Sequence, residues 1–266
     1  SKNPAQQMRH ALIERLLWHA RQLALPATML SFEPLPREFL QAADPPARLT
    51  NFRERWQLLA DSGIDRLWLL RFDERLRGLS GLQFMQLLAA ARARVVVVGH
   101  DFHFGRGGEA SAHWCAAHAA EFGFAVDVVA PVQIDGERVS SGRVREALQA
   151  SDFQTAQRLL GRAYSMRGRV RSGNRLGRTL GFPTANIAVK RRRVPLQGGF
   201  AVRVSGAGIM PPRAGVANLG TRPMVDGVGT LLEAHLFDFD GDLYGKELEV
   251  RFVARLRDEL RFESMQ

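Results

Sequence analysis

The chain has 266 residues, 45% of them hydrophobic and 24% charged. This is the balance of an ordinary globular protein rather than a disordered one, with enough chain for two modest domains. A net charge of +10, carried almost entirely by arginine, suits polyanions such as nucleotides, nucleic acid or anionic lipid. The single cysteine, Cys115, excludes an intrachain disulfide and points to a reducing cytoplasm, and the longest apolar run, Val95–Val98, is far too short to cross a bilayer. We expect no secretory leader.

From about residue 10 to 160, helix-period and strand-like segments alternate. Leu12, Ile13, Leu16, Leu17 and Leu23 form one apolar helical face, followed by a strand at Ala27–Phe32. A helix over Asn51–Ser62 precedes a strand at Arg66–Leu70. Further helices are predicted at Leu79–Ala90 and Ala112–Phe122, with strands at Val95–Val98 and Ala125–Val129. Strands separated by helices imply a parallel sheet with covered faces. After Gly161, short alternating strands follow one another at Ser165–Val170, Phe200–Val204, Arg213–Leu219, Leu231–Phe237 and Glu247–Val253. Such spacing predicts an antiparallel barrel or sandwich. The expected fold is therefore α/β plus all-β, with domains at 1–160 and 161–266.

The densest chemistry lies between Gly168 and Asn186. Gly173, Gly177 and Gly181 leave backbone that can approach a ligand closely. Arg178 adds a cation, and Phe182-Pro183-Thr184-Ala185-Asn186 adds a stiff turn with a hydroxyl and an amide oxygen. Together these are groups that suit a magnesium–polyphosphate. No GxxxxGK[ST] loop is present. In the first half, Val95–Val98 runs into Gly99-His100-Asp101-Phe102-His103-Phe104-Gly105, at the carboxyl end of a strand where open parallel sheets bind ligands. Ser140 or Ser141 then caps a helix whose N-terminus, with Arg143 and Arg145, offers an anion site. The basic run Lys190–Arg193 reads as a solvated loop. Asp238, Asp240 and Asp242 lack EF-hand spacing and read as a hairpin turn. His235 reads as an ordinary strand histidine.

The run Gly173…Gly177-Arg178…Gly181-Phe182-Pro183-Thr184-Ala185-Asn186 resembles the signature of riboflavin kinases, in particular the kinase half of the bacterial bifunctional riboflavin kinase/FMN adenylyltransferases. Gly215–Pro223 and Leu232–Gly245 resemble two further blocks of that family, in its order. The resemblance implies a six-stranded antiparallel β-barrel at the C-terminal end. It makes Glu233 the carboxylate acting on the ribityl 5′-hydroxyl. It also makes Thr184 and Asn186 the Mg²⁺ and nucleotide ligands, and Arg257, Glu259 and Phe262 part of the flavin enclosure. Gly99, Asp101, Phe102, Phe104, Gly105, Ser140, Ser141, Arg143 and Arg145 resemble the nucleotidylyltransferase domain of the same family, which is Rossmann-like and joins FMN and ATP into FAD. The implied small molecules are riboflavin, FMN, FAD, ATP and Mg²⁺. No nucleic-acid or membrane partner is expected, and the protein should be a monomer or weak oligomer.

Three departures qualify the first half. The family opens with a strand and a Gly-rich loop carrying H-x-G-H, whereas this chain opens Ser1-Lys2-Asn3-Pro4-Ala5-Gln6-Gln7-Met8-Arg9-His10. Whether that loop is deleted or lies outside the residues in hand stays open, as does whether His10 is its remnant. A polypeptide truly without the loop is expected to make FMN but little FAD. Gly142 stands where a third hydroxyl is usual, and Leu35 replaces a frequent histidine. The chain also stops at Gln266, short of the family's C-terminal helix. Two rival readings are a kinase with a degenerate N-terminal domain and a basic nucleic-acid-binding protein.

Overall fold

A computed structural model describes residues 4–131, 133–134, 136–171, 184–191, 193–224 and 227–257. In chain order the helices are α1 (Pro4–Leu23), α2 (Pro36–Leu40), α3 (Phe52–Ala60), α4 (Glu74–Arg77), α5 (Gly81–Ala90), α6 (Ala112–His118), α7 (Ser141–Gln149) and α8 (Phe153–Leu160). The first-half strands are β1 (Thr28–Glu33), β2 (Arg66–Arg71), β3 (Val95–Gly99), β4 (His103–Phe104), β5 (Ala110–Ser111), β6 (Ala125–Val129), β7 (Gln133–Ile134) and β8 (Glu137–Arg138). The second half contributes β9 (Ser165–Arg171), β10 (Ala185–Ala188), β11 (Gly198–Gly206), β12 (Ile209–Met224), β13 (Gly227–Leu236) and β14 (Glu247–Arg257).

By contact, one unit comprises Ser1–Pro46 with Gln57–Val139, and the other comprises Ala47–Trp56 with Ser140–Gln266. In the first, β1 pairs with β2 and β3 with β6, both parallel, as the alternation of helices and strands predicts. Phe84, Met85, Leu88, Phe104, Cys115 and Phe124 form its core, with Leu30, Phe32, Trp68, Val96 and Val126 packed against them. Helix ends are capped where the sequence supplies hydroxyls or carboxylates: Ser80 over α5, Ser111 over α6 and Asp73 over α4. On α1, Arg15 and His19, one turn apart, both reach Asp127 of β6, at 2.6 and 2.7 Å.

The second unit is a closed barrel in the order β10-β13-β12-β11-β14-β9, every pairing antiparallel. Strand alternation fills its interior. Met166, Val170, Ile187, Phe200, Val202, Val204, Leu219, Leu232, Leu248 and Val250 are buried, while the residues between them face outward. Helices α7 and α8 cluster with the barrel. Phe153 at the start of α8 is one reason: its ring meets Phe200 edge-on and stacks on Phe252, with centroids 6.0 and 6.3 Å away.

Expected as part of a solvated loop, Arg191 is instead among the buried residues. Its guanidinium pairs with Glu54, also buried, and donates to the Tyr164 hydroxyl at 2.9 Å. Glu54 in turn accepts from the backbone N–H of Arg167 and of Asn51, both at 2.7 Å. Asn51 completes a capping box by accepting from Glu54 N–H at 2.9 Å, and its amide donates to Val189 O at 3.2 Å. A buried charge demands a partner, and this one lies far away in the sequence. The first turn of α3 is thereby fastened to β9 and to the chain leaving β10.

Candidate active sites

On the barrel's outer face, one rung of cross-strand partners brings together residues that the sequence scatters. Asn186 of β10 pairs with Arg171 of β9 on one side and with Glu233 of β13 on the other. Glu233 pairs in turn with Asn218 of β12, Asn218 with Gly199 of β11, and Gly199 with Arg257 of β14. Direct partners share a face, with Cβ atoms about 5 Å apart. Inward neighbours confirm which face this is: Ala185, Ala217 and Ala234 are buried, whereas Asn186, Asn218 and Glu233 are half-buried.

Gly199 is what lets Arg257 join this row. A Cβ there would stand 2.9 Å from the Arg257 Cγ and 3.2 Å from its Nε, so the arginine stem crosses the strand where no side chain stands. Thr184, just before β10, is exposed. Gly173, Gly177, Arg178, Gly181, Phe182, Pro183, Glu259 and Phe262 lie outside the described residues.

Thr184 and Asn186 present neutral oxygen donors, the chemistry a hard divalent cation accepts when phosphate supplies its remaining ligands. Among the described residues, no group of three or more His, Cys, Asp or Glu is placed to hold a metal alone. The donor set thus fits a magnesium ion that arrives with a nucleotide. Asn218 lies in the block Gly215–Pro223, but neither it nor Arg171 had a role assigned from sequence, because only cross-strand register places them in this row.

In the first unit, β3 delivers Gly99 into a loop that carries Asp101. Its carboxylate pairs with Arg138 of β8, and the Nδ1 of His100 lies 3.7 Å away. Burial pushes the Asp101 carboxyl up, but the hydrogen bond and charge of Arg138 outweigh it and hold it below the ordinary carboxylate value. Arg138 had no local signal in the sequence. Phe102 stacks on Phe104 with centroids 5.6 Å apart. Phe104 itself is a core residue, so it anchors the loop. Gly105 turns with φ +79°, and a Cβ there would meet the Gly81 nitrogen at 2.7 Å; glycine alone fits.

In the second unit, Ser140 caps α7 by accepting from Arg143 N–H at 3.3 Å, and Ser141 begins the helix. Arg145 donates through Nε to Ala47 O at 2.6 Å, so its stem is fixed. The N-terminus of α7, with Arg143 beside it, carries the partial positive charge that attracts a phosphate.

Comparison with known proteins agrees with both halves. Residues 160–266 match the family model described as riboflavin kinase, and residues 9–143 match that described as FAD synthetase. The bifunctional riboflavin kinase/FMN adenylyltransferase of Pseudomonas fluorescens is 44% identical over 259 residues, 96% of this chain and 82% of that protein. The Escherichia coli K12 enzyme of the same name is 39% identical, with the same two coverages. A solved structure described as a macrolide-efflux protein from Streptococcus pneumoniae superposes with a TM-score of 0.78 at 28% identity, covering 98% of this chain and 86% of that one. No helix among the described residues is long and apolar enough to cross a membrane. On these matches and this fold, the chain belongs to the bifunctional riboflavin kinase/FMN adenylyltransferase family.

Proposed function

We propose that the chain makes FAD from riboflavin in two ATP-dependent steps: phosphorylation to FMN on the barrel, then adenylylation of FMN with the N-terminal half. The observation that carries this reading is the rung placing Asn186 and Glu233 side by side on the barrel's outer face.

For the first step, the Glu233 carboxylate takes the proton of the ribityl 5′-hydroxyl as its oxygen attacks the γ-phosphorus. A new O–P bond forms, the bond from the γ-phosphorus to its bridging oxygen breaks, and ADP leaves. Most of the protein's contribution to such a transfer is positioning and charge stabilisation. Thr184 and Asn186 would hold Mg²⁺, which neutralises charge on the phosphates. Gly173, Gly177, Gly181 and Arg178 keep the phosphate-loop role that family membership supports. Arg257, with Glu259 and Phe262, is assigned to the flavin; a guanidinium over a flat ring suits that contact.

For the second step, a phosphate oxygen of FMN attacks the α-phosphorus of ATP and pyrophosphate leaves. Gly99, Asp101, Phe102 and Gly105 shape the loop assigned to nucleotide or flavin, with Phe104 as its anchor. Ser140, Ser141, Arg143 and Arg145 are assigned to the phosphates. We read the protein as cytoplasmic, in keeping with its single cysteine; burial pushes the Cys115 thiol up to about 11, so it is an inert core group.

Incubation with riboflavin and Mg-ATP, followed by chromatography of the flavins, tests both steps. FMN and FAD are expected with ADP and pyrophosphate. Absence of FMN overturns the kinase reading. FMN without FAD, together with failure to adenylylate added FMN, removes the second step and leaves the first.

A further inference from the structure

We infer that Asn218 is a positioning residue of the phosphoryl-transfer site, its carboxamide holding the Glu233 carboxylate toward the substrate hydroxyl. The inference rests on the kinase reading above and adds to it a residue outside the phosphate loop and the metal pair.

Glu233 is flanked on its rung by two carboxamides, Asn186 on β10 and Asn218 on β12. Their roles differ by what else they face. Asn186 adjoins Thr184 on the side where the metal-bearing phosphates are assigned, so its oxygen is committed there. Asn218 has Gly199 as its other neighbour, a position without a side chain, crossed by the Arg257 stem. Register therefore puts its carboxamide one cross-strand neighbour from the Glu233 carboxylate, with the Arg257 stem on its far side.

Position and residue type agree. Asparagine is depleted in strands, yet Asn218 sits within the sixteen-residue β12, between the inward-facing Ala217 and Leu219. Along the same outer face of β12, its neighbours two residues away are Val216 and Gly220, neither of which carries a side-chain donor. A neutral donor at 218 can orient a carboxylate without adding charge that would compete for the phosphates. An aspartate of the same shape would repel Glu233 instead.

That contrast separates positioning from packing. Asn218→Ala should lower kcat for FMN formation about tenfold, while riboflavin fluorescence quenching, the KM for Mg-ATP and the thermal midpoint stay within about twofold or a few degrees. Asn218→Asp should be slower than Asn218→Ala. A packing role gives the opposite order, because the isosteric aspartate would restore the shape. If Asn218→Ala fails to fold, Asn218→Ser takes its place and must also exceed Asn218→Asp. An aspartate variant as fast as wild type, or faster than the alanine variant, overturns the inference, as does a loss confined to KM. In each of those cases wild-type turnover of riboflavin persists; an inert wild type instead overturns the kinase reading and this inference with it.

Discussion

The Arg191 guanidinium and the Glu54 carboxylate form a buried ion pair between residues 137 positions apart in the chain. The pair joins the first turn of α3 to the strands that carry Asn186, and it leaves no easy substitute on either side. Glu54→Ala strands a buried guanidinium and removes acceptors for the backbone of Asn51 and Arg167. We expect a loss of about 3–5 kcal/mol in urea unfolding. Replacing both partners by apolar residues, Glu54→Leu with Arg191→Met, should be less damaging than Glu54→Ala alone, because no unpaired charge remains.

Removing the carboxylate from the rung should strike turnover. Glu233→Ala is expected to lower kcat for ADP release by about 10²–10³-fold, with the KM for Mg-ATP changed only a few-fold. A coupled ADP assay at saturating riboflavin measures this directly.

The proposed metal ligands should report through magnesium. Thr184→Ala and Asn186→Ala are each expected to raise the Mg²⁺ concentration giving half-maximal kinase rate several-fold, by removing one oxygen donor. Titration of MgCl₂ at fixed ATP distinguishes this from a loss of maximal rate.

Filling the space above β11 should displace the arginine that crosses it. In Gly199→Ala the new methyl group meets the exposed Arg257 stem rather than backbone, so the barrel should unfold within about 1 kcal/mol of wild type. Riboflavin binding should weaken a few-fold. Arg257→Ala should weaken it similarly, and the double variant should be no worse than either single one, since both act through one side chain. Flavin fluorescence quenching reads all three.

Acid should erase the contribution of Asp127. Burial pushes its carboxyl up, but hydrogen bonds from His19 and Arg15 and their charges prevail and hold it below the usual 3.8. A carboxyl depressed by folding stabilises above its unfolded value, and that contribution is lost as pH falls through the lower folded value. Asp127→Asn should thus cost about 1–2 kcal/mol at pH 7. The gap should narrow below about pH 4, as thermal scans across that range would show.

Much of the architecture was legible because burial imposes a period. Alternation in Leu231–Leu236 put Glu233 on one face with Leu231 and His235 without deciding which face points outward; burial of Leu232 and Ala234 in the barrel decides it. The longer helices and the parallel strands of the first half were equally plain from their apolar faces; the short α2, α4, β4, β5, β7 and β8 were not. What sequence order hides is partnership across the fold. Ala185–Ala188 is only four residues long, so its strand character comes from β9 and β13 on either side. Arg191 looked like one of four solvated cations because Glu54 lies in a helix read with the other half. Asn218 and Arg138 acquire meaning only from Glu233 and Asp101, each brought alongside by long-range pairing.

The rung on the barrel exterior also carries a consequence for biosynthesis. Asn186 and Glu233 become neighbours only when β13 has been made and docked against β10. A nascent chain that ends before β13 lacks Glu233, the carboxylate we propose for the ribityl hydroxyl. On that proposed role, such an incomplete polypeptide would not squander ATP on the vitamin while the ribosome is still extending it.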